Sequence, residues 1–323
     1  MYYPKFIKPN ETIGICAPSK GVGMKLDEYE CSIQHLMKKY RIKETASVRN
    51  SGYRSNTAFV RAKELEALCL DDEARMILCA SGGDFMFEIL PYIDWDLICR
   101  HPKWYMGYSD PTSLLYILTT RYDIASLYGM NAGSFYIEHD YVEKSLKIME
   151  GNLVVQTSFD YFQSQKNYQE EKLIFDQKVI WLHDQKIDVS GRCIGGCLEV
   201  IKDLMGTRYD ATSSFIEKYK EDGIIWYFDN YGMSAEDVYL TLLQMKYASY
   251  FNYTKAVLFG RTCFESNHTG MTYQDALKEA LEDIPYVYNC DIGHTSPRMI
   301  MINGAIMKLQ VDKGQGRIVF ECQ

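Results

Sequence analysis

The first half of the chain repeats one unit, in which a short apolar run is followed by a turn of small residues and then by a segment with helical periodicity. Short apolar runs bounded by turn residues predict buried strands, and the 3.6-residue periodicity predicts helices packed against them. Strands separated by helices pair in parallel, so the sequence predicts an α/β fold with a doubly wound parallel sheet in its N-terminal part. The predicted strands are residues 12–17, 42–48, 74–80 and 104–106, and the predicted helices are residues 25–39, 56–69, 85–90 and 113–118.

Three turns follow directly on these predicted strands, at residues 18–19, 82–83 and 109–110. The carboxyl ends of parallel strands lie at one edge of the sheet, and ligands of such folds bind beyond that edge. The three turns can therefore meet in space although they are far apart in sequence.

The sequence predicts that the second half of the chain forms a separate unit, joined to the first by a polar connecting segment. Polar, irregular sequence runs from residue 136 to 190 and includes the polar stretch 163–169 and the charged residues 170–172, after which residues 191–197 open the second unit. The sequence thus predicts an N-terminal α/β domain (1–150), a connecting segment (151–190) and a β-rich C-terminal α/β domain (191–323). In the last of these, helices are predicted at 198–204 and 234–247, strands at 224–228 and 256–259, and β-rich sequence from 286 to the end.

Composition excludes several classes of function. The 323 residues carry a formal net charge of −8, and Lys and Arg form no block. Because binding to nucleic-acid phosphates requires a basic face, nucleic acid is not an expected partner. Neither G-x-G-x-x-G nor a P-loop pattern occurs, so no nucleotide cofactor is expected.

The ten Cys are typical of reduced, buried thiols, because most of them lie inside apolar runs. Cys193 and Cys197 are four residues apart, C-x-x-C is absent, and no metal site is predicted. The N-terminus has no apolar signal core, and no apolar run approaches the length needed to span a membrane. The expected location is the cytoplasm, without a membrane partner.

Residues 106–114 (MGYSDPTSL) carry the strongest chemical signal. A strand-like approach, a Gly, Ser109 two residues later and a helix-forming segment are the parts of a nucleophile elbow, which lifts a serine hydroxyl out of the sheet. The N–H of the next residue, Asp110, can stabilise developing negative charge, and so can those of Gly82 and Gly83. The alternatives are an ordinary N-cap serine and, for the glycines, a plain tight turn.

A serine nucleophile requires a general base and a group that orients this base. Of the six His, His294 stands out because it lies on a loop between Gly293 and residues 295–297 (TSP); the alternative is a structural loop histidine. Asp229 ends the apolar run 224–228, where a carboxylate is costly unless it is paired. Its alternative is a turn or cap residue.

Seven segments, in order over most of the chain, resemble the serine LD-carboxypeptidases, the family that also contains the microcin C immunity peptidases. Residues 107–112 (GYSDPT) resemble the family's "GySDiT", whose serine is the nucleophile, and 293–295 (GHT) resemble the "GHt" that carries the catalytic His. The other five are residues 13–19 (IGICAPS), 61–77, 80–94 (ASGG…LPYID), 195–198 (GGCL) and 204–207 (LMGT). Within 61–77, residues 71–77 (DDEARMI) resemble the family's "D…v.aIi" strand.

The resemblance implies a Ser–His–Glu triad, and this chain departs from it at one member. The glutamate of the family's "LFlE" corresponds to Asp229 in residues 226–229 (WYFD), which keeps the charge but is one methylene shorter. Glu236, farther along, is a poor substitute. Ser81 replaces the Arg before the glycine pair and Cys197 replaces the Asn of "GGNL", and both changes affect substrate contacts more than the fold.

The resemblance therefore implies a serine hydrolase that cleaves an amide bond with Ser109, His294 and Asp229, using no metal and no cofactor. The leading expectation is an LD-carboxypeptidase that releases a terminal D-amino acid from murein-type peptides. One alternative is an immunity-type hydrolase of aminoacyl- or peptidyl-adenylate amides, and another is a non-catalytic binding protein. The expected partner is a small peptide or peptidyl nucleotide, and the resemblance implies a homodimer.

Overall fold

The chain divides into two compact units, residues 1–154 and residues 155–323. The computed structural model describes residues 1–167 and 173–322, so the polar residues 170–172 of the predicted connecting segment lie outside the described residues. No helix among the described residues is both long and apolar enough to cross a membrane.

The first unit is built on a parallel sheet, as the strand–turn–helix repeat predicts. Its strands run in the order β5-β4-β3-β1-β2, and every neighbouring pair is parallel. The strands are β1 (Thr12–Cys16), β2 (Arg41–Glu44), β3 (Ala74–Cys79), β4 (Trp104–Gly107) and β5 (Ser126–Tyr128). The helices are α1 (Leu26–Met37), α2 (Ala58–Leu70), α3 (Trp95–Arg100), α4 (Thr112–Tyr122) and α5 (Asp140–Met149), with 3₁₀ turns at Met86–Tyr92 and Ala132–Ser134.

Local chemistry accounts for these elements and for two corrections. All residues of β1 and β4 are buried, which explains their unbroken apolar sequences. Strand β2 is shorter than predicted, because Val48 donates its N–H to the Thr45 carbonyl and closes a turn. The prediction of irregular sequence from residue 136 missed α5, an amphipathic helix whose polar face looks like a loop when it is read without periodicity.

The second unit contains a mixed seven-stranded sheet in the order β12-β11-β10-β9-β14-β15-β6, in which the first four strands are parallel and the rest antiparallel. The strands of the second unit, including three outside this sheet (β7, β8 and β13), are β6 (Gln156–Thr157), β7 (Tyr161–Phe162), β8 (Gln177–Lys178), β9 (Ile187–Cys197), β10 (Ile224–Asp229), β11 (Thr254–Gly260), β12 (Tyr286–Cys290), β13 (Met301–Asn303), β14 (Ile306–Asp312) and β15 (Gln315–Glu321). Its helices are α6 (Leu198–Leu204), α7 (Thr212–Lys218), α8 (Ala235–Tyr247) and α9 (Tyr273–Leu281).

The predicted fold class is confirmed: a parallel α/β sheet is followed by a second, sheet-rich unit. Residues 155–167 and 173–190 of the predicted connecting segment belong to the second unit, where they form β6, the small antiparallel pair β7–β8 and the start of β9. Strand β9 lies beside β10 in parallel, with Cys197 opposite Asp229, so both residues end their strands at the same edge of the sheet.

Candidate active site

Ser109 occupies a sharp turn between β4 and α4, and its backbone has a φ of +69°. Residues other than glycine rarely adopt this left-handed conformation, and it concentrates at functional sites, where the surrounding structure holds it. Here the Ser109 N–H donates to the Tyr128 hydroxyl at 3.2 Å, and the Ser109 carbonyl accepts from the Thr112 N–H at 2.9 Å. Strand, strained serine and helix are thus arranged as a nucleophile elbow requires.

The glycine pair after β3 lies beside the Ser109 hydroxyl. A Cβ atom on Gly82 would come within 3.0 Å of Ser109 Cβ and 3.2 Å of its Oγ, so a larger residue at position 82 would crowd the serine. Within residues 1–167 and 173–322, no group accepts a hydrogen bond from the N–H of Gly82, Gly83 or Asp110. These three N–H groups, predicted as oxyanion donors, therefore have no hydrogen-bond acceptor among the described residues.

The Asp110 side chain has a separate role that the sequence did not reveal. Its Oδ2 accepts hydrogen bonds from the Ser19 hydroxyl and, at 2.8 Å, from the Met86 N–H. The carboxylate therefore connects the turns after β1 and β3 to the elbow after β4. Burial raises the pKa of Asp110 above its usual 3.8, against the opposing effect of these hydrogen bonds.

In the second unit, Asp229 ends β10 with no exposed surface. Its Oδ2 lies 2.8 Å from Nδ1 of His294, and its Oδ1 accepts the backbone N–H of His294 at 3.2 Å. Because a carboxylate can only accept, this proximity favours the tautomer with its proton on Nδ1, in which Nε2 carries the lone pair. The aspartate thus orients the imidazole as a general base requires.

Gly293 allows this contact. Its φ is +98°, and a Cβ atom at this position would lie 1.8 Å from Asp229 Oδ1, far inside contact distance. Both the backbone conformation and the space therefore demand glycine immediately before His294.

An aromatic side chain also packs against the imidazole of His294. The rings of Tyr231 and His294 are 4.7 Å apart between centroids, Phe264 contacts Tyr231 edge-on, and Tyr231 is 45% exposed. The Glu199 Oε1 atom fixes this turn by accepting the N–H groups of Tyr231 (2.9 Å) and Gly232 (3.0 Å). Sequence reasoning missed both Glu199 and Tyr231, which no pattern connects to His294.

The departures from the family pattern fall at defined places. Cys197 donates its thiol to Glu199 Oε2 at 3.0 Å, and burial, together with the carboxylates of Glu199 and Asp229, raises its pKa well above the usual value. Cys197 is therefore a neutral hydrogen-bond donor. Ser81 is half-buried directly before the glycine pair.

Glu236 does not replace Asp229. Its Oε1 accepts from the hydroxyl and the N–H of Thr269 and from the N–H of His268, and these bonds lower its pKa to about 2. It fixes a different loop. In the part of the chain that the structure describes, no cluster of His, Cys, Asp and Glu is arranged to hold a metal ion.

The two halves of the chain match two models of one family. Residues 13–129 match the LD-carboxypeptidase N-terminal domain, and residues 190–309 match the LD-carboxypeptidase C-terminal domain. The chain belongs to the LD-carboxypeptidase family, which includes the microcin immunity proteins, and it is accordingly a serine peptidase or hydrolase.

Individual proteins of the family cover most of this chain. "Putative carboxypeptidase VC_A0337" of Vibrio cholerae is 25% identical over 319 residues, with 93% of this chain and 92% of that protein covered. The structure of "Microcin C7 self immunity protein MccF in complex aspartyl sulfamoyl adenosine" superposes with a TM-score of 0.83 at 21% identity, covering 100% of this chain and 99% of that one. A muramoyltetrapeptide carboxypeptidase from Oxalobacter formigenes gives 0.76 at 16% identity, with 96% and 99% covered. These structural likenesses show the shared fold.

We predict that Gly293→Ala abolishes the orientation of His294, because the new methyl group must displace the Asp229 carboxylate. Labelling of Ser109 by a fluorophosphonate probe should slow by at least about 100-fold. The matched control is Gly270→Ala, where φ is +87° but nothing lies within 4 Å. This control should cost about 1–2 kcal/mol of backbone strain and label normally; equal loss in both variants would contradict the prediction.

We also predict a pH signature for Asp110. Because its pKa is raised on folding, the folded state retains the proton to a higher pH, so the stability of wild type relative to Asp110→Asn should fall as the pH rises above 3.8. Urea unfolding between pH 3 and 7 measures this difference.

The control for the pH signature is Asp210→Asn. Hydrogen bonds from Tyr250, Gly206 and Thr212 outweigh burial and lower the pKa of Asp210, so its stabilisation should be lost as the pH falls below 3.8. Identical pH trends for the two aspartates would contradict the assignment.

Proposed function

We propose that this protein hydrolyses an amide bond with Ser109 as nucleophile, His294 as general base and Asp229 as the group that orients it. The observation that carries the proposal is that the Asp229 carboxylate contacts both the imidazole ring and the backbone N–H of His294. These contacts support Asp229 as a replacement for the family's glutamate, because the shorter side chain still reaches the histidine.

The proposed reaction has two halves. Ser109 Oγ attacks the carbonyl carbon while its proton passes to His294 Nε2, and the carbonyl oxygen becomes an oxyanion held by the N–H groups of Gly82 or Gly83 and of Asp110. Each such donor contributes about 3 kcal/mol. The carbon–nitrogen bond then breaks as His294 protonates the leaving amine. Water, activated by the same imidazole, hydrolyses the acyl-enzyme and restores the serine.

The leading substrate class is a murein-type peptide that ends in a D-amino acid. Such a peptide has a terminal carboxylate, which a nearby cation would recognise. Lys20 borders the glycine pair, since a Cβ atom on Gly83 would lie 3.1 Å from Lys20 Cβ, and Lys20 forms no ion pair within the described ranges. We propose that it takes over the task of the Arg that Ser81 replaces. The carboxypeptidase names among the relatives support this class.

A second substrate class is favoured by Tyr231. An exposed aromatic ring against His294 offers a platform on which a nucleobase can stack, as hydrolysis of an aminoacyl- or peptidyl-adenylate amide would require. The structurally similar immunity protein was solved with an adenosine ligand of this type. Either class is a small substrate; the homodimer and the cytoplasmic location stay predictions.

The deciding experiment incubates the purified protein with a muramyl tetrapeptide ending in D-Ala and, in parallel, with an aminoacyl-sulfamoyl adenosine, and follows both by mass spectrometry. Release of D-Ala alone supports the carboxypeptidase, and cleavage of the adenosine compound alone supports the immunity-type hydrolase. Ser109→Ala should abolish either reaction. If wild type changes neither compound and reacts with no fluorophosphonate probe, the proposal is wrong and a binding protein is favoured.

Asp229→Asn should lower kcat by about 10³–10⁴-fold with little change in KM, because an amide can present a donor to Nδ1 and so favours the wrong tautomer. Asp283→Asn, at an exposed position, is the matched control and should retain full activity. Activity in Asp229→Asn within tenfold of wild type would remove Asp229 from the proposed triad.

Lys20→Met should raise KM for the tetrapeptide about tenfold and leave kcat within twofold, because it removes the carboxylate-binding charge but no reacting group. A tetrapeptide with an amidated C-terminus should show no such difference between wild type and the variant. An equal effect on both peptides would show that Lys20 does not recognise the carboxylate.

A further inference from the structure

The histidine is carried by a closed loop, residues 291–299, here called the His loop. Its base is closed by a hydrogen bond from the Met299 N–H to the Asp291 carbonyl, at 2.7 Å. The hydrogen bond and the ion-pair contact that Asp229 makes to this loop both reach residue 294. Something else must fix the remainder of the loop, because a general base displaced by about 1 Å loses much of its effect.

Arg261 is the residue that holds the rest of the loop. It follows β11 directly and is only 3% exposed. Its Nη1 donates to Asp291 Oδ1 at 2.6 Å, its Nε to Thr295 Oγ1 at 2.8 Å and its Nη2 to the Pro297 carbonyl at 3.1 Å. One planar guanidinium therefore contacts the His loop on both sides of His294.

The buried charge of Arg261 is compensated by a carboxylate that is itself fixed. Asp291 has no exposed surface, and its second oxygen, Oδ2, accepts the Trp181 indole N–H at 2.9 Å and the Phe159 N–H at 3.2 Å. The Phe162 ring lies 4.5 Å from the guanidinium carbon. A buried ion pair with complete hydrogen bonding specifies one geometry more than it adds stability, so this pair is suited to positioning.

Only arginine can make this set of contacts. The three acceptors lie around a rigid fork of three nitrogens, whereas a lysine ammonium is a single point that can replace the charge but not all three directions. Asp229 ends β10 and Arg261 follows the neighbouring parallel strand β11, so the sheet itself sets the spacing between the two groups that hold the loop.

We infer that Arg261 is a positioning residue for His294: through Asp291, Thr295 and Pro297 it holds the His loop so that the imidazole stays on the Asp229 carboxylate. The inference rests on the proposed function, since it assigns to Arg261 the geometry of the general base.

The test compares Arg261→Lys and Arg261→Gln with Arg192→Gln. Arg192 is a matched control because it is also buried, donates to Asp222 at 2.5 Å and to the Gly304 carbonyl at 2.7 Å, and makes none of the Arg261 contacts to the His loop. If Arg261→Gln fails to fold, Arg261→Lys, which keeps the charge beside Asp291, still decides the question.

Two readouts are needed. The first is the imidazole ¹⁵N spectrum, in which the His294 signals are assigned by their absence from His294→Gln; this readout requires no turnover. The second is steady-state hydrolysis of whichever compound wild type cleaves. We expect Arg261→Lys to melt close to wild type, to shift the His294 signals and to lower kcat by about 10–100-fold, with KM within twofold. Arg192→Gln should lower the melting temperature without shifting these signals.

Unchanged His294 signals in Arg261→Lys, or equal effects of Arg192→Gln on signals and kcat, would overturn the inference. If wild type hydrolyses no compound, the proposed function fails in its own test, while the spectrum still shows whether Arg261 positions His294. The two failures are therefore distinguishable.

Discussion

A carboxylate without exposed surface ends strand β10, and the second unit is arranged to satisfy it. An ionised group at such a position is strongly destabilising unless polar contacts replace its water, and His294 supplies a backbone hydrogen bond to one Asp229 oxygen and a close imidazole contact to the other. Gly293 must be glycine to bring those donors within reach. The same contacts that compensate the burial of Asp229 also orient the imidazole of His294, so the stability of the unit and the proposed chemistry depend on one pair.

The first unit contains a strained backbone conformation that its neighbouring residues must stabilise. The left-handed backbone of Ser109 is unfavourable in isolation, and it persists because the elbow is held from several sides. The Asp110 carboxylate bonds to Ser19 and Met86, so the turns that follow three neighbouring strands are tied at one edge of the sheet. This tie also keeps the glycine pair, whose N–H groups remain available, beside the serine hydroxyl.

Sequence patterns predicted the fold where one physical signal dominated. The buried strands β1, β3, β4 and β10 are predominantly apolar runs, and Thr57 caps α2, with its side chain accepting the Val60 N–H. Elements with mixed polarity, such as α5 and the polar start of β9, were missed because their burial depends on tertiary partners. Arg261 was also missed, although it follows an apolar strand as Asp229 does. The signal was a charge at a strand end, and only the fold shows which loop it contacts.

The aspartate in place of the family glutamate is consistent with this geometry. A side chain one methylene shorter must have its partner closer, and here the backbone at Gly293 packs directly against the carboxylate, where even a methyl group would collide. Arg261 holds the loop in that close position by contacts that do not involve Asp229. A glutamate at position 229 would need the loop to move outward, against those three hydrogen bonds. The short acid, the glycine and the buried arginine are therefore mutually dependent, because a longer acid would require a change in the loop that carries the proposed base.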